Sequence, residues 1–124
     1  MNFIKTDKAP AAIGPYSQAV NIANMIYTSG QIPLKADGTL VEGDISVQAK
    51  QVLQNLSEVL REGGSELGKV VKTTIFLSNM DDFAEVNKVY AEFFGTHKPA
   101  RSTIAVKTLP LKVGIEIEAI AIKG

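Results

Sequence analysis

Arg101 stands at the start of an apolar stretch, directly behind Pro99-Ala100. Its planar fork of N–H donors matches a carboxylate or a phosphate with two parallel hydrogen bonds. Glu116 lies between Ile115 and Ile117 and is open to two readings, a desolvated carboxyl whose raised pKa makes it a usable proton donor or base, or a strand glutamate pointing to water or to a lysine. Tyr16 follows Gly14-Pro15 and is open to two readings, a phenol presented to a cleft or a half-buried strand tyrosine. Asn87 falls near the apolar stripe of a helical segment, as a buried hydrogen-bonding residue, and His97 is placed to cap the end of that helix. Spacing alone leaves Arg101 with two roles: an anchor for an anionic substrate, or the partner of Glu116 or Glu118 in an ion pair, the commoner arrangement. These residues gather in two regions. One is Ala12 to Gln18 with Thr28 to Pro33; the other is Lys98 to Thr103 with Ile115 to Glu118.

The composition removes several chemistries. The 124 residues contain no cysteine, which excludes disulfides, thiolate nucleophiles and cysteine-ligated metals. One histidine leaves no basis for a His-rich metal site and makes a Ser-His-Asp triad depend on His97 alone. Thirteen Lys+Arg balance thirteen Asp+Glu, so the basic excess expected of a nucleic-acid footprint is missing. The glycines form neither a P-loop nor a dinucleotide fingerprint. No run approaches a membrane span, and Met1 to Lys8 lacks the apolar segment of a signal peptide. The expectation is one domain over residues 1–124, cytoplasmic, without a membrane partner.

The elements that would position these residues read in order. Residues 3–6 form a short strand, followed by the Pro/Gly-punctuated loop Ala9 to Pro15. Tyr16 to Ile22 and Met25 to Ser29 form a hairpin about Ala23-Asn24, and Gly30 to Gly43 is mostly loop. Asp44 is the expected N-cap of a helix with Ile45, Ala49, Val52, Leu53, Leu56, Val59 and Leu60 at helical spacing, stopped by a left-handed Gly63-Gly64. Lys69 to Ser78 is a β-branched strand and Asp81 to Phe94 a second helix, capped by Asn79, Asp81 and Asp82 and ended by Gly95. Pro99 to Val106 and Ile115 to Ile122 are two further strands. This order predicts an α+β two-layer sandwich with both helices on one sheet face.

Such a sheet has an uncovered side. Along Ile115 to Ile122, Ile115, Ile117, Ala119 and Ala121 share one face, and Glu116, Glu118, Ile120 and Ile122 the other. Along the earlier strand, Val71, Thr73, Ile75 and Leu77 are expected inward, opposite Val70, Lys72, Thr74 and Phe76. No third helix remains for the partly apolar outer face, which predicts self-association. The alternative is a solvated antiparallel face with a few tolerated apolar residues.

Several segments carry a specific resemblance. Ala11-Ala12-Ile13-Gly14-Pro15-Tyr16-Ser17-Gln18, Ser29-Gly30-Gln31-Ile32-Pro33, Val71-Lys72-Thr73-Thr74, Phe83-Ala84-Glu85-Val86-Asn87, Pro99-Ala100-Arg101-Ser102 and Ile115-Glu116-Ile117-Glu118-Ala119-Ile120-Ala121 are similar, in order, to the Rid (reactive intermediate deaminase) family. The RidA subfamily is the nearest likeness. The resemblance implies a chorismate-mutase-like mixed sheet assembled as a homotrimer with clefts between subunits, and no metal or organic cofactor. It implies hydrolysis of 2-imino acids, such as 2-iminobutanoate and 2-iminopropanoate, to 2-oxo acids and ammonia. Carried onto this chain, Arg101 would hold the substrate carboxylate and Glu116 would assist water attack. Tyr16 would close the pocket, Ser29 and Gly30 would line it, and Asn87 would be a further pocket residue. Thr103 stands where many relatives carry a cysteine, so a thiol-dependent step cannot operate here, while its hydroxyl can still bond water or substrate. A carboxylate-binding module without turnover is the competing reading, and a ribonuclease the third; balanced charge counts against the latter.

Overall fold

Six strands, β1 (Asn2–Ile4), β2 (Ala19–Ile22), β3 (Met25–Thr28), β4 (Val70–Leu77), β5 (Ala100–Ala105) and β6 (Ile115–Ile122), form one mixed sheet in the order β1-β2-β3-β6-β4-β5. The computed structural model describes all 124 residues. Every neighbouring pair is antiparallel except β4 and β5. A parallel pair cannot be closed by a tight turn. The crossover is made by α2 (Phe83–Phe94), while α1 (Ile45–Glu62) links the β1–β3 hairpin region to β4.

Both helices lie on one face of the sheet, as the element order predicts. The apolar stripe of α1, from Ala49 through Val52, Leu53, Leu56 and Val59 to Leu60, is fully buried against Ile26, Ile75, Ile115 and Ile117. Val86, Val89, Tyr90 and Phe94 of α2 complete that core. Each large side chain buried in this way contributes about 1.5–3 kcal/mol before entropic costs.

The ends of the elements differ from expectation for local reasons. Tyr16, Ser17 and Gln18 precede β2 rather than joining it, because the Gln18 side chain serves as a tie: its amide donates to Thr6 O and Pro10 O and accepts from Thr6 N. The side chain of Asp44 makes no cap hydrogen bond, and only its carbonyl accepts, from Val47 and Gln48. Gly63 is right-handed at φ −82°, and Gly64, at φ +85°, makes the left-handed turn. Gly63 is needed for a different reason, since a Cβ there would meet Ile4 and Ile26 at 2.6 and 2.8 Å. Asn79 does cap, accepting from Asp81 N at 2.9 Å, but through a single 3-10 turn, so α2 begins at Phe83 rather than Asp81.

One departure changes which side chains face out. Val70 opposes Ala121 and Lys72 opposes Ile120, so Val71 is an extra residue, a β-bulge. The bulge turns Val70 inward, 2% exposed, and Val71 outward, 43% exposed, reversing the simple alternation at that end of β4. Beyond the bulge, Thr73, Ile75 and Leu77 face the helices as alternation predicts.

Candidate active site

Arg101 is held on the helix side of the sheet. β5 runs parallel to β4 with Arg101 beside Thr73, which is fully buried under α2. From this edge strand the guanidinium lies over two rings of α2, 4.8 Å from the centroid of Tyr90 and 5.3 Å from that of Phe83. Its Nη1 donates to Asn87 Oδ1 at 2.7 Å. Phe83, Asn87 and Tyr90 share one helix face by their three- and four-residue spacing. No carboxylate approaches it, since the ion pairs of the chain are Arg61–Glu58 and Lys88–Glu85. The ion-pair reading of Arg101 is thereby removed, and Asn87 is exposed rather than buried.

Glu116 is on the opposite face. It alternates with Ile115 and Ile117, both fully buried beneath the helices, and pairs across the sheet with Phe76. The carboxylate lies against Gly30, where any Cβ would collide with Oε2. The Gly30 segment is pinned beside β6 because Gln31 and Ile117 exchange two backbone hydrogen bonds, at 2.8 and 3.1 Å. Asn55 of α1, 1% exposed, reaches down to the same loop and donates to Ile32 O and Leu34 O. Burial, then the nearby charge of Glu118, raises the Glu116 pKa above its ordinary value. A half-buried carboxyl raised in this way can exchange a proton closer to neutral pH than a solvated one.

The remaining residues divide between these places. Thr103 shares the helix-side face of β5 with Arg101, and its Oγ1 is buried without a hydrogen-bond partner. Ser102, between them, faces the other way and accepts from Lys72 Nζ at 3.1 Å. Ser29 donates from Oγ to Ser17 O at 2.6 Å and from its backbone N to Gln18 O, which ties the Tyr16 segment to the Gly30 segment. Tyr16 is 55% exposed. It lines a surface cleft of about 670 Å³ with Phe3, Thr6, Ala12, Ser17 and Gln18, and neither Arg101 nor Glu116 opens into that cleft. The His97 side chain does not cap the helix, since its Nε2 bonds Val70 O at 2.7 Å; only its backbone N–H donates to Phe94 O at the helix end.

Tyr90, Phe83 and Asn55 escape a reading by residue type. Tyr90 and Phe83 register as stripe residues of a helix, and only the docking of α2 beside β5 brings Arg101 over them. Asn55 is the one polar residue among the buried positions of α1, and that misfit is the signal that marks it.

Comparison with known proteins agrees over the whole chain. The family described as endoribonuclease L-PSP matches residues 6–123. A Mus musculus protein named 2-iminobutanoate/2-iminopropanoate deaminase is 49% identical over 122 residues, 98% of this chain and 90% of its own. The crystal structure of yeast Mmf1 superposes with a TM-score of 0.98 at 47% identity, covering 99% of this chain and 98% of that one. Escherichia coli TdcF with bound serine superposes with a TM-score of 0.95 at 39% identity over 100% of both chains. With that coverage and the same sheet and helix order, the chain belongs to the endoribonuclease L-PSP family, the Rid family that its sequence resembles.

Proposed function

We propose that the protein hydrolyses 2-imino acids to 2-oxo acids and ammonia, and that it does so as a homotrimer. The observation that carries this reading is the Arg101 guanidinium, which is exposed, rests on two rings, gives one donor to Asn87 and has no acidic partner. Arginine has five N–H donors in a fixed fork, so the ones left free match a substrate carboxylate bidentately. The serine held by TdcF is an α-amino acid, of the size and carboxylate chemistry of a 2-imino acid.

The chemistry then needs few groups. A protonated imine is already electrophilic at C2, so orientation, one water and proton transfer suffice. Glu116 takes a proton from water as its oxygen bonds to C2 and the C=N π electrons move to nitrogen. The same carboxyl delivers that proton to nitrogen; the C–N bond breaks and ammonia leaves, and Glu116 takes the hydroxyl proton, as the oxygen becomes the 2-oxo group, and passes it to the ammonia. Thr103 is a hydrogen-bonding group for substrate or water on the Arg101 side, and Ser29 with Gly30 lines the Glu116 side.

Arg101 and Glu116 lie on opposite faces of one sheet, so a cleft between two copies is the arrangement that brings them to one substrate. The apolar outer face, with Ile22, Tyr27 and Ile122 between 43% and 50% exposed, is the surface for that assembly.

The test couples this protein to threonine dehydratase and threonine. Addition is expected to speed 2-oxobutanoate release, and Arg101→Ala to remove at least ~99% of that gain with the oligomer intact, as lost carboxylate anchoring implies. Retained activity in the variant would exclude the anchor role. The second reading, a carboxylate-binding module, is favoured by the serine of TdcF. It requires thermal stabilisation by 2-oxobutanoate with no acceleration of imine loss.

A further inference from the structure

Arg101 projects from an edge strand, where an arginine side chain has four flexible torsions and water on most sides. Here it has a platform. Tyr90 lies 4.8 Å under the guanidinium carbon, and the ring itself is immobilised from two directions. Its hydroxyl shares a 2.7 Å hydrogen bond with Thr73 Oγ1, and Thr73 is fully buried. The ring also stacks on Phe94, with centroids 4.4 Å apart and planes at 28°. Tyr90 is 7% exposed, so the ring that carries the guanidinium is itself part of the core. Thr73 is also the residue of β4 that stands beside Arg101 in the parallel register. The same short stretch of sheet therefore sets both the arginine backbone and, through the hydrogen bond to Tyr90, the ring that supports its head.

We infer that Tyr90, locked by Thr73, is a positioning residue that pre-organises Arg101 for a carboxylate and so governs the affinity for the anionic end of the substrate. This deepens the role proposed for Arg101 and rests on it. A guanidinium over an aromatic face is held electrostatically by the ring quadrupole while its in-plane donors stay available. Asn87 takes one of those donors at the rim, which fixes rotation in the plane that the ring defines. The arginine is thus ordered before the ligand arrives, and binding avoids the cost of immobilising it. Burial raises the Tyr90 pKa and keeps the phenol protonated, so the hydrogen bond to Thr73 persists across the working pH range.

The test measures binding of 2-oxobutanoate and of its uncharged amide by isothermal titration calorimetry, which needs no turnover. The variants are Tyr90→Leu, Tyr90→Phe, Thr73→Val and Phe83→Leu, with Arg101→Ala as reference. Tyr90→Leu is expected to weaken 2-oxobutanoate about fivefold, the upper scale of a cation–π contact at an exposed site, and to leave the amide within about twofold. Tyr90→Phe keeps the ring but loses the hydrogen bond to Thr73, so it is expected to match Thr73→Val. Thr73→Val and Phe83→Leu are expected to weaken the acid about threefold each, without changing the amide. These two variants carry the test if Tyr90→Leu does not fold. Equal loss for acid and amide would make Tyr90 a packing residue only and overturn the inference. So would unchanged 2-oxobutanoate affinity alongside a large loss in Arg101→Ala. No loss in Arg101→Ala would instead remove the anchor role beneath it.

Discussion

Glu116 shows how one side chain is tuned by what lies against it. Its carboxylate is crowded by Gly30 on one side and by the charge of Glu118 on the other, and burial is the larger cause of its raised pKa. A carboxyl whose folded pKa is raised binds its proton more tightly in the native state than in the unfolded chain. It therefore costs nothing below the ordinary value of 4.5 and destabilises the fold as pH rises through the raised value. Glu116→Gln is expected to increase Tm at pH 7.5, with the gain vanishing by pH 4, as thermal melts at the two pH values will show. The same variant is expected to lose at least ~99% of imine hydrolysis, the size of a removed acid–base group. Gly30→Ala acts on the same carboxylate from outside. The first atom its Cβ meets is the mobile end of Glu116, so the side chain yields rather than the backbone. Hydrolysis should fall about a hundredfold from misplacement of the reacting group, with Tm nearly unchanged. A coupled assay and a melting curve on one preparation separate these effects.

At the scale of elements, periodicity made most of the fold legible. α1, α2, β4 and β6 lie within a few residues of where apolar spacing and β-branching place them. What spacing could not give was the bulge at Val71, because a single extra residue leaves no mark in an all-apolar Val-Val pair. The turn Pro110–Lys112, between β5 and β6, was equally hidden. Leu111 and Lys112 are both left-handed, at φ 55° and 57°, a conformation in which a Cβ crowds the backbone. Nothing in the identity of leucine or lysine announces it; the buried flanking residues Leu109 and Val113 hold the chain there. Lys112→Gly relieves that crowding at some cost in unfolded-chain entropy. It is expected to raise stability by a few tenths to about 1 kcal/mol, measured by chemical denaturation.

At the scale of the whole molecule, the sheet keeps the two candidate groups apart. Arg101 faces the helix layer while Glu116 faces the outer side of the sheet, and the intervening strands block any approach between them. A site composed across two copies predicts complementation. Arg101→Ala and Glu116→Gln are each inactive, but refolded together in equal amounts they should recover about a quarter of wild-type activity. That fraction follows from random assortment at each interface of a closed trimer. Recovery near zero, with mixed oligomers demonstrated, would show that the site does not cross between copies. The outer face gives the physical motive for assembly. Val20 pairs with Tyr27 and Tyr27 with Ile120, so the exposed apolar residues of β2, β3 and β6 form one continuous surface, with Phe3 at its edge.

By itself the sequence determined the α+β layering, both helices and the family, because these depend on local spacing and on motifs that are contiguous in the chain. It also identified Arg101, Glu116, Tyr16, Ser29, Gly30, Asn87 and Thr103 as candidates by type and likeness. Only the tertiary structure decided how they are distributed. The parallel pairing of β5 with β4 placed Arg101 over Tyr90 and Phe83 beside Asn87, and the antiparallel pairing of β6 sent Glu116 to the other face against Gly30. Which face a strand residue takes depends on register and bulges, and those are settled by partners far away in the chain.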